Sequence, residues 1–163
     1  MENAFTGLIQ ALSAQLQGQL QGRLQSQLEI RDSTKVHVNF DDIALLIEHL
    51  PDAEQVLLAA PVADVPAGNR EAFYRLLLQG QYIFAETGGA TLALDSEERF
   101  VTLQIAPSLR ALTRENFPAL VENFLNMAEH WRKRCLETAK ERAEEGEASP
   151  APAFPPEAVM LRI

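Results

Sequence analysis

The sequence is poor in several features that would assign a protein to a particular functional class. Its 163 residues contain one cysteine, Cys135, so an intramolecular disulfide is excluded, and no Cys/His spacing resembles a zinc site. Lysine and arginine number 14 against 23 aspartates and glutamates, which gives a formal net charge of -9. Because an acidic chain is repelled by phosphate backbones and by anionic lipids, neither nucleic acid nor a membrane surface is expected as a partner.

Long hydrophobic runs are also missing. No stretch approaches the roughly 20 apolar residues of a membrane span, and residues 1–5 lack the basic flank and apolar run of a signal peptide. Together with the single cysteine, this favours a reducing compartment, the cytoplasm. Hydrophobic residues nevertheless make up 47% of the chain and charged residues 23%, as in an average soluble domain. The composition therefore predicts one folded domain.

Apolar residues at helical spacing predict a first helix from residue 4 to about residue 16. They are Phe5, Leu8, Ile9, Leu12 and Leu16. Between Gln15 and Leu28, leucines recur every four residues in a Gln-Leu-Gln-Gly repeat. A spacing of four overshoots the helical turn by about 40° per step, and two glycines weaken the helix further. We interpret residues 15–28 as an inserted, frayed extension.

The pattern then changes to short β-rich runs. Strands are predicted over residues 36–40, 43–50 and 56–62, with a turn at 51–54. A helix should follow from an N-cap at Asn69 to about Phe84, ended by Gly88 and Gly89. A hairpin over 91–94 and 100–105 comes next. The last helix should start near Asn116 and end near residue 142.

This order, α-β-β-β-α-β-β-α, predicts an α+β single domain in which helices pack on a twisted antiparallel sheet. The domain should cover residues 1–143. Residues 144–163 are rich in proline, glutamate and alanine and are expected to be disordered. They end in an apolar segment, residues 159–163, which is a candidate for docking onto the chain's own groove or onto a partner.

One central stretch resembles a known family. Residues 73–95, FYRLLLQGQYIFAETGGATLALD, followed by RFVTLQ at 99–104, are similar to the signature of the class I type III secretion chaperones, the Tir chaperone family. The predicted first helix resembles the opening helix of that family. The closing helix is matched by Phe117, Leu120, Phe124, Ala128 and Trp131, so the resemblance covers residues 3 to 140. Gln81 departs from it, since the family often has Asn there, and the repeat and the tail are additions.

The resemblance implies a homodimeric chaperone of the bacterial cytoplasm, without catalysis or cofactor. Such a chaperone holds the N-terminal chaperone-binding segment of a secreted effector protein, without ATP, through apolar grooves and an exposed strand edge. It also raises the secretion-apparatus ATPase as a further partner. The candidate effector-binding residues are Phe5, Ile9, Leu12, Val38 and Phe40. The candidate dimer residues are Phe73, Leu77, Leu92 and Leu94.

Two alternatives stay open. A regulatory protein of the same fold would sequester an antiactivator and couple secretion to transcription. An enzyme is less well supported, because His37, His49 and His130 are scattered and no polar constellation converges around them. No metal site is expected.

Overall fold

The computed structural model describes residues 4–19, 28–30, 34–40 and 42–145. These ranges contain three α-helices and six strands, with single 3-10 turns at Pro51–Ala53, Tyr82–Phe84 and Leu109–Ala111. The helices are α1 (Ala4–Gln19), α2 (Arg70–Gln81) and α3 (Phe117–Glu145). The strands are β1 (Leu28–Ile30), β2 (Lys35–Phe40), β3 (Ile43–Leu50), β4 (Gln55–Asp64), β5 (Thr91–Leu94) and β6 (Phe100–Ile105).

The six strands form one antiparallel sheet in the order β1-β2-β3-β4-β6-β5. Strands β1 to β4 are a meander, and the β5–β6 hairpin joins it through β6, which pairs with β4. Strand β5 and strand β1 are therefore the two edges of the sheet. Alternate residues of a strand point to opposite faces of the sheet, so every second residue of a strand lies on the buried face.

One face of the sheet forms the core. Its buried side chains come from β2, β3, β4 and β6 and are dominated by aliphatic residues, among them Val36, Val38, Leu45, Ile47, Val56, Leu58, Val101 and Leu103. Helix α3 lies across β4 on this face, and α1 packs beside α3. The stripe of α3 that was predicted from its spacing, including Phe117, Phe124 and Trp131, is buried there. The α+β class with helices on an antiparallel sheet is confirmed.

Several boundaries differ from the prediction. An additional strand, β1, starts at Leu28, inside the segment interpreted as a helical extension, so the order is α-β-β-β-β-α-β-β-α. Helix α1 continues to Gln19, and residues 20–27 of the repeat lie outside the described part of the chain. The predicted disorder of the tail is likewise untested beyond Glu145.

The second helix begins where predicted but ends earlier. Asn69 occupies the N-cap position, but its backbone is left-handed (φ 52°) and its side chain makes no capping hydrogen bond. Helix α2 ends at Gln81, and Ile83 leaves helical geometry with a φ of 49°. The glycines Gly88 and Gly89 have positive φ, as predicted. Their predicted role as the helix stop is wrong, because α2 ends seven residues before Gly88. None of the described helices is long and apolar enough to cross a membrane.

Candidate functional site

A groove lies between α1, the β2–β3 corner and the first half of α3. Its volume is about 320 Å³, and it is open to solvent along one side. Aliphatic and aromatic side chains make up its floor, namely Leu12, Leu16, Phe40, Ile43, Val121 and Leu125. A space of this size is at the lower limit for a small-molecule pocket. It suits a few apolar side chains of a bound peptide.

The rim of the groove is acidic. Asp42, Glu122 and Glu129 line it, with Arg132 as its cation. Arg132 donates a hydrogen bond of 3.0 Å to the backbone carbonyl of Asp42, which ties α3 to the β2–β3 corner. The Lys133 ammonium lies 2.7 Å from Glu129 and holds the pKa of that carboxyl below its ordinary value. Glu129 is therefore held in its charged form by its ion pair with Lys133.

The predicted effector-binding residues all lie on α1 and β2, beside or beneath this groove. Leu12 and Phe40 line it. Phe5, Ile9 and Val38 are buried in the core, and the Phe5 ring stacks on His49 with centroids 5.4 Å apart. Their contact with an effector stays a prediction, and it would require buried side chains to become exposed. Phe40, only half-buried, is the member of this set that a ligand reaches directly.

A second surface is the outward face of α2 and the turn after it. Large apolar side chains are exposed there, with exposed fractions of 71% for Leu78, 72% for Tyr82, 74% for Ile83 and 51% for Phe84. Leu94 on the edge strand β5 is also exposed. Contiguous exposed apolar residues of this kind mark protein interaction surfaces in soluble proteins. We call these five residues the α2 patch.

The turn that carries Ile83 and Phe84 is held in an unusual conformation. Both residues have positive φ, 49° and 57°, a region that a β-branched residue such as Ile rarely adopts. The turn is closed by backbone hydrogen bonds, including Glu86 N–H to the Gly80 carbonyl at 3.3 Å. Glu86 is in turn tied to α3, since its carboxylate pairs with Arg134. The fold thus presents two apolar side chains outward on a fixed turn.

The predicted dimer residues lie on the buried side of α2 and along β5. Phe73 and Leu77 point into the protomer and are buried, whereas Leu92 is half-buried and Leu94 is exposed. Contact of Phe73 and Leu77 with a second copy stays a prediction that their burial does not favour. Gln81, the residue that departs from the family pattern, accepts a hydrogen bond of 2.9 Å from the Leu92 backbone N–H. It covers part of the β5 edge.

Among the described residues, the metal-ligating side chains are dispersed and the cysteine is enclosed. No group of three or more His, Cys, Asp or Glu side chains capable of holding a metal ion occurs in the described part of the chain. Cys135 is buried on α3, and loss of solvation there raises the pKa of its thiol to about 11. A protonated, enclosed thiol is a poor nucleophile.

Sequence reasoning missed the α2 patch and most of the groove. Leu78, Tyr82 and Ile83 were included in the central signature, but nothing in their spacing separates an outward apolar side chain from a core one. Ile43 on β3 and Leu125 on α3 each belong to a predicted element, and only the packing of α3 on the sheet brings them together. The turn after α2 carried a sequence signal, the pair Gly88 and Gly89, but not the left-handed residues that precede it.

Comparison with known proteins identifies the fold and the family. Among solved structures, the chain is similar to the ExsC–ExsE complex (TM-score 0.60, 22% identity, covering 82% of this chain and 96% of that one). It is also similar to the HopA1–SchA chaperone–effector complex (0.59, 16%, 80% and 94%). A third similar structure is the ExoU–SpcU heterodimer from the type III secretion system of Pseudomonas aeruginosa (0.54, 16%, 75% and 91%). At these identities the likeness concerns the fold.

No curated protein matches the chain in sequence. The model of the Tir chaperone protein (CesT) family matches residues 15–132, which is most of the chain and includes both the central signature and the α2 patch. This match confirms the resemblance inferred from residues 73–104. The chain therefore belongs to the Tir chaperone protein (CesT) family, a family of class I type III secretion chaperones rather than of enzymes.

Proposed function

We propose that this protein is a homodimeric cytoplasmic chaperone that binds the N-terminal chaperone-binding segment of a type III secreted effector and keeps it secretion-competent without ATP. The observation that carries the proposal is the apolar groove between α1 and α3 in a chain of this family. Of the similar solved structures, HopA1–SchA is a chaperone–effector complex and ExoU–SpcU is a heterodimer from a type III secretion system. We expect this chain likewise to bind an effector protein.

The groove provides what an unfolded segment needs. A segment held out of its own core must have its apolar side chains covered, and the groove floor offers aliphatic contacts from Leu12, Leu16 and Leu125. The acidic rim keeps the open groove soluble before the segment binds. Phe40 stands at the β2–β3 corner, where it would pack against the first bound side chain.

Strand β1 supplies the second element of recognition. It pairs only with β2, through Leu28 to Val38, Glu29 to His37 and Ile30 to Val36, so its other side is a free edge within the described residues. An extended peptide can add to such an edge and form main-chain hydrogen bonds that do not depend on its sequence. This favours binding of a segment as a strand beside β1.

The α2 patch supports the homodimer. A second copy placed on Leu78, Tyr82, Ile83 and Phe84 would remove apolar surface from water, which is favourable by about 25 cal/mol per Å². Leu94 at the β5 edge is also exposed and would add to the interface. A twofold arrangement would bring the same patch of both copies together.

Affinity capture from the native cytoplasm, followed by mass spectrometry, tests the chaperone proposal. The wild-type chain should retain a secreted protein. Leu125→Asp, which places a charge in the groove floor, should lose it. Leu136→Asp is the matched control, because Leu136 lies on the same helix but is 54% exposed and outside the groove. Retention that is equal in all three, or absent in all three, would contradict the proposal.

The same capture separates the regulatory alternative. A regulatory protein of this fold should retain an antiactivator or a DNA-binding protein in place of a secreted effector. The groove serves either partner, so the identity of the retained protein is the discriminating result. Contact with the secretion ATPase is a further part of the proposal, and it should appear in the same capture only when an effector is bound.

A further inference from the structure

The groove between α1 and α3 has two carboxylates with no partner among the described residues. Asp42 and Glu122 are both exposed at the rim, and neither makes an ion pair or a side-chain hydrogen bond there. The other rim acid, Glu129, is paired with Lys133, and Arg132 is bonded to the β2–β3 corner. The groove thus combines an apolar floor with two exposed carboxylates that are in no ion pair with a described residue. A ligand with aliphatic side chains and one cation fits it best.

The chain itself contains such a segment. Residues 159–163 read VMLRI, with four apolar side chains and one arginine. Arg162 is the single lysine or arginine in residues 146–163, and it falls inside the apolar cluster. The remaining charges of that stretch are Glu147 and Glu157. The cation therefore accompanies the apolar side chains and would meet Asp42 or Glu122 when they enter the groove.

The length of the intervening chain matches the distance to the groove. From Asn126, which lines the groove, to Glu145 at the end of α3 is 19 residues, or roughly 29 Å at about 1.5 Å per residue. From Glu145 to Val159 is 14 residues, and a proline-rich stretch extends about 3.1 Å per residue, or roughly 43 Å. Pro150, Pro152, Pro155 and Pro156 fall in this stretch. The segment can therefore turn back along α3 and reach the groove without strain.

We infer that residues 159–163 dock in the α1/α3 groove of their own chain, with the apolar side chains on the floor and Arg162 at Asp42 and Glu122. Tethering raises the effective concentration of the segment to roughly millimolar, so even a weak contact is populated. If the groove also receives the effector, which rests on the proposed function, then the segment and the effector compete for it. The docked segment would cover the apolar floor until an effector displaces it.

Disulfide trapping in the full chain tests the docking directly. Met160→Cys is combined with Asn126→Cys at the groove rim or, as a matched control, with Glu137→Cys. Residues 126 and 137 are both exposed on α3. Position 137 is nearer to Met160 along the chain, so random collision favours the control pair. Cys135 can stay in place, because it is buried and its pKa of about 11 keeps the thiol protonated.

Docking predicts an intramolecular 126–160 disulfide at several-fold higher yield than 137–160, and a fall to the control level when Leu161→Asp is added. Three results would overturn the inference. They are a 137–160 yield equal to or above the 126–160 yield, a 126–160 yield that Leu161→Asp does not change, and a disulfide that forms only between two chains. An added effector segment should lower the 126–160 yield. If it binds and the yield is unchanged, the competition is refuted and the docking stands.

Discussion

The indole N–H of Trp131 on α3 donates a hydrogen bond of 3.0 Å to the backbone carbonyl of Glu86, in the turn after α2. The side chain of Glu86 pairs with Arg134, whose guanidinium lies 5.3 Å from the Trp131 ring centroid. Trp131 is completely buried. This contact fixes the α2 patch against the last helix, so the stability of the fold and the presentation of the patch depend on the same residues.

Gly80→Ala should destabilise this junction. A Cβ at position 80 would collide with the Trp131 ring, and overpacking of this kind costs about 1–3 kcal/mol, more than the roughly 1 kcal/mol that alanine gains over glycine in a helix. A lower free energy of unfolding in urea is expected. Gly68→Ala is the control, because no atom lies within 4 Å of its Cβ position. Equal stabilities of the two variants would contradict the packing.

Thr87→Val should stabilise the protein. Thr87 is buried, and its hydroxyl has no hydrogen-bond partner among the described residues, a situation that costs about 1–3 kcal/mol in proteins. Valine has the same shape without the hydroxyl, so the free energy of unfolding should rise by about 1 kcal/mol. The control is Thr91→Val, because Thr91 donates to the Gln104 carbonyl at 3.2 Å and should gain nothing. A loss of stability in Thr87→Val would show that its hydroxyl is bonded.

Leu78→Asp should convert the proposed dimer to a monomer. The side chain is 71% exposed in the single chain, so the fold should be unchanged while a charge enters the proposed interface. Light scattering coupled to size exclusion measures the mass, and circular dichroism confirms folding. Leu136→Asp is the control and should remain dimeric. A folded Leu78→Asp dimer would place the interface elsewhere, and Phe73→Asp would not decide the point because Phe73 is buried.

Cys135 should react only when the protein unfolds. Burial raises the pKa of its thiol from 9.0 to about 11, which lowers the thiolate fraction about hundredfold at pH 8. Alkylation by iodoacetamide should be at least that much slower than in 6 M guanidinium, about the concentration that unfolds even very stable domains. Because the folded pKa lies above the unfolded one, this group's contribution to stability is complete below pH 9 and is lost between pH 9 and 11. Equal alkylation rates would contradict the burial.

Much of the fold could be predicted because the apolar periodicity is strong where the core lies. The spacing of Phe117, Phe124 and Trp131 identified α3, and the alternation of Val101 and Leu103 identified β6. Each element is buried on one side only, so its apolar residues recur with the period of the helix or of the strand. Strand β1 was missed because three residues are too few for a period and because they adjoin a repeat whose own spacing of four suggested a helix.

The binding surfaces were harder to predict for a physical reason. Residues buried in the core of the protomer and residues buried only in an interface with a partner are of the same apolar types. Helical spacing therefore cannot tell Phe73 and Leu77, which are buried, from Leu78, which is exposed. Only the packing of α2 against β5 separates the two sides of the helix. Likewise Phe5 and Ile9 share a helical face with Leu12, yet Leu12 alone of the three lines the groove.

On the proposed function, this chain binds the N-terminal segment of a secreted effector by itself. Once affinity capture has identified the retained protein, its N-terminal fragment should be titrated into the purified chain by calorimetry, without nucleotide. Binding should be saturable, and Leu125→Asp should abolish it whereas Leu136→Asp should leave it intact. No binding of the fragment, or binding that requires ATP or is indifferent to Leu125, would contradict the proposed function.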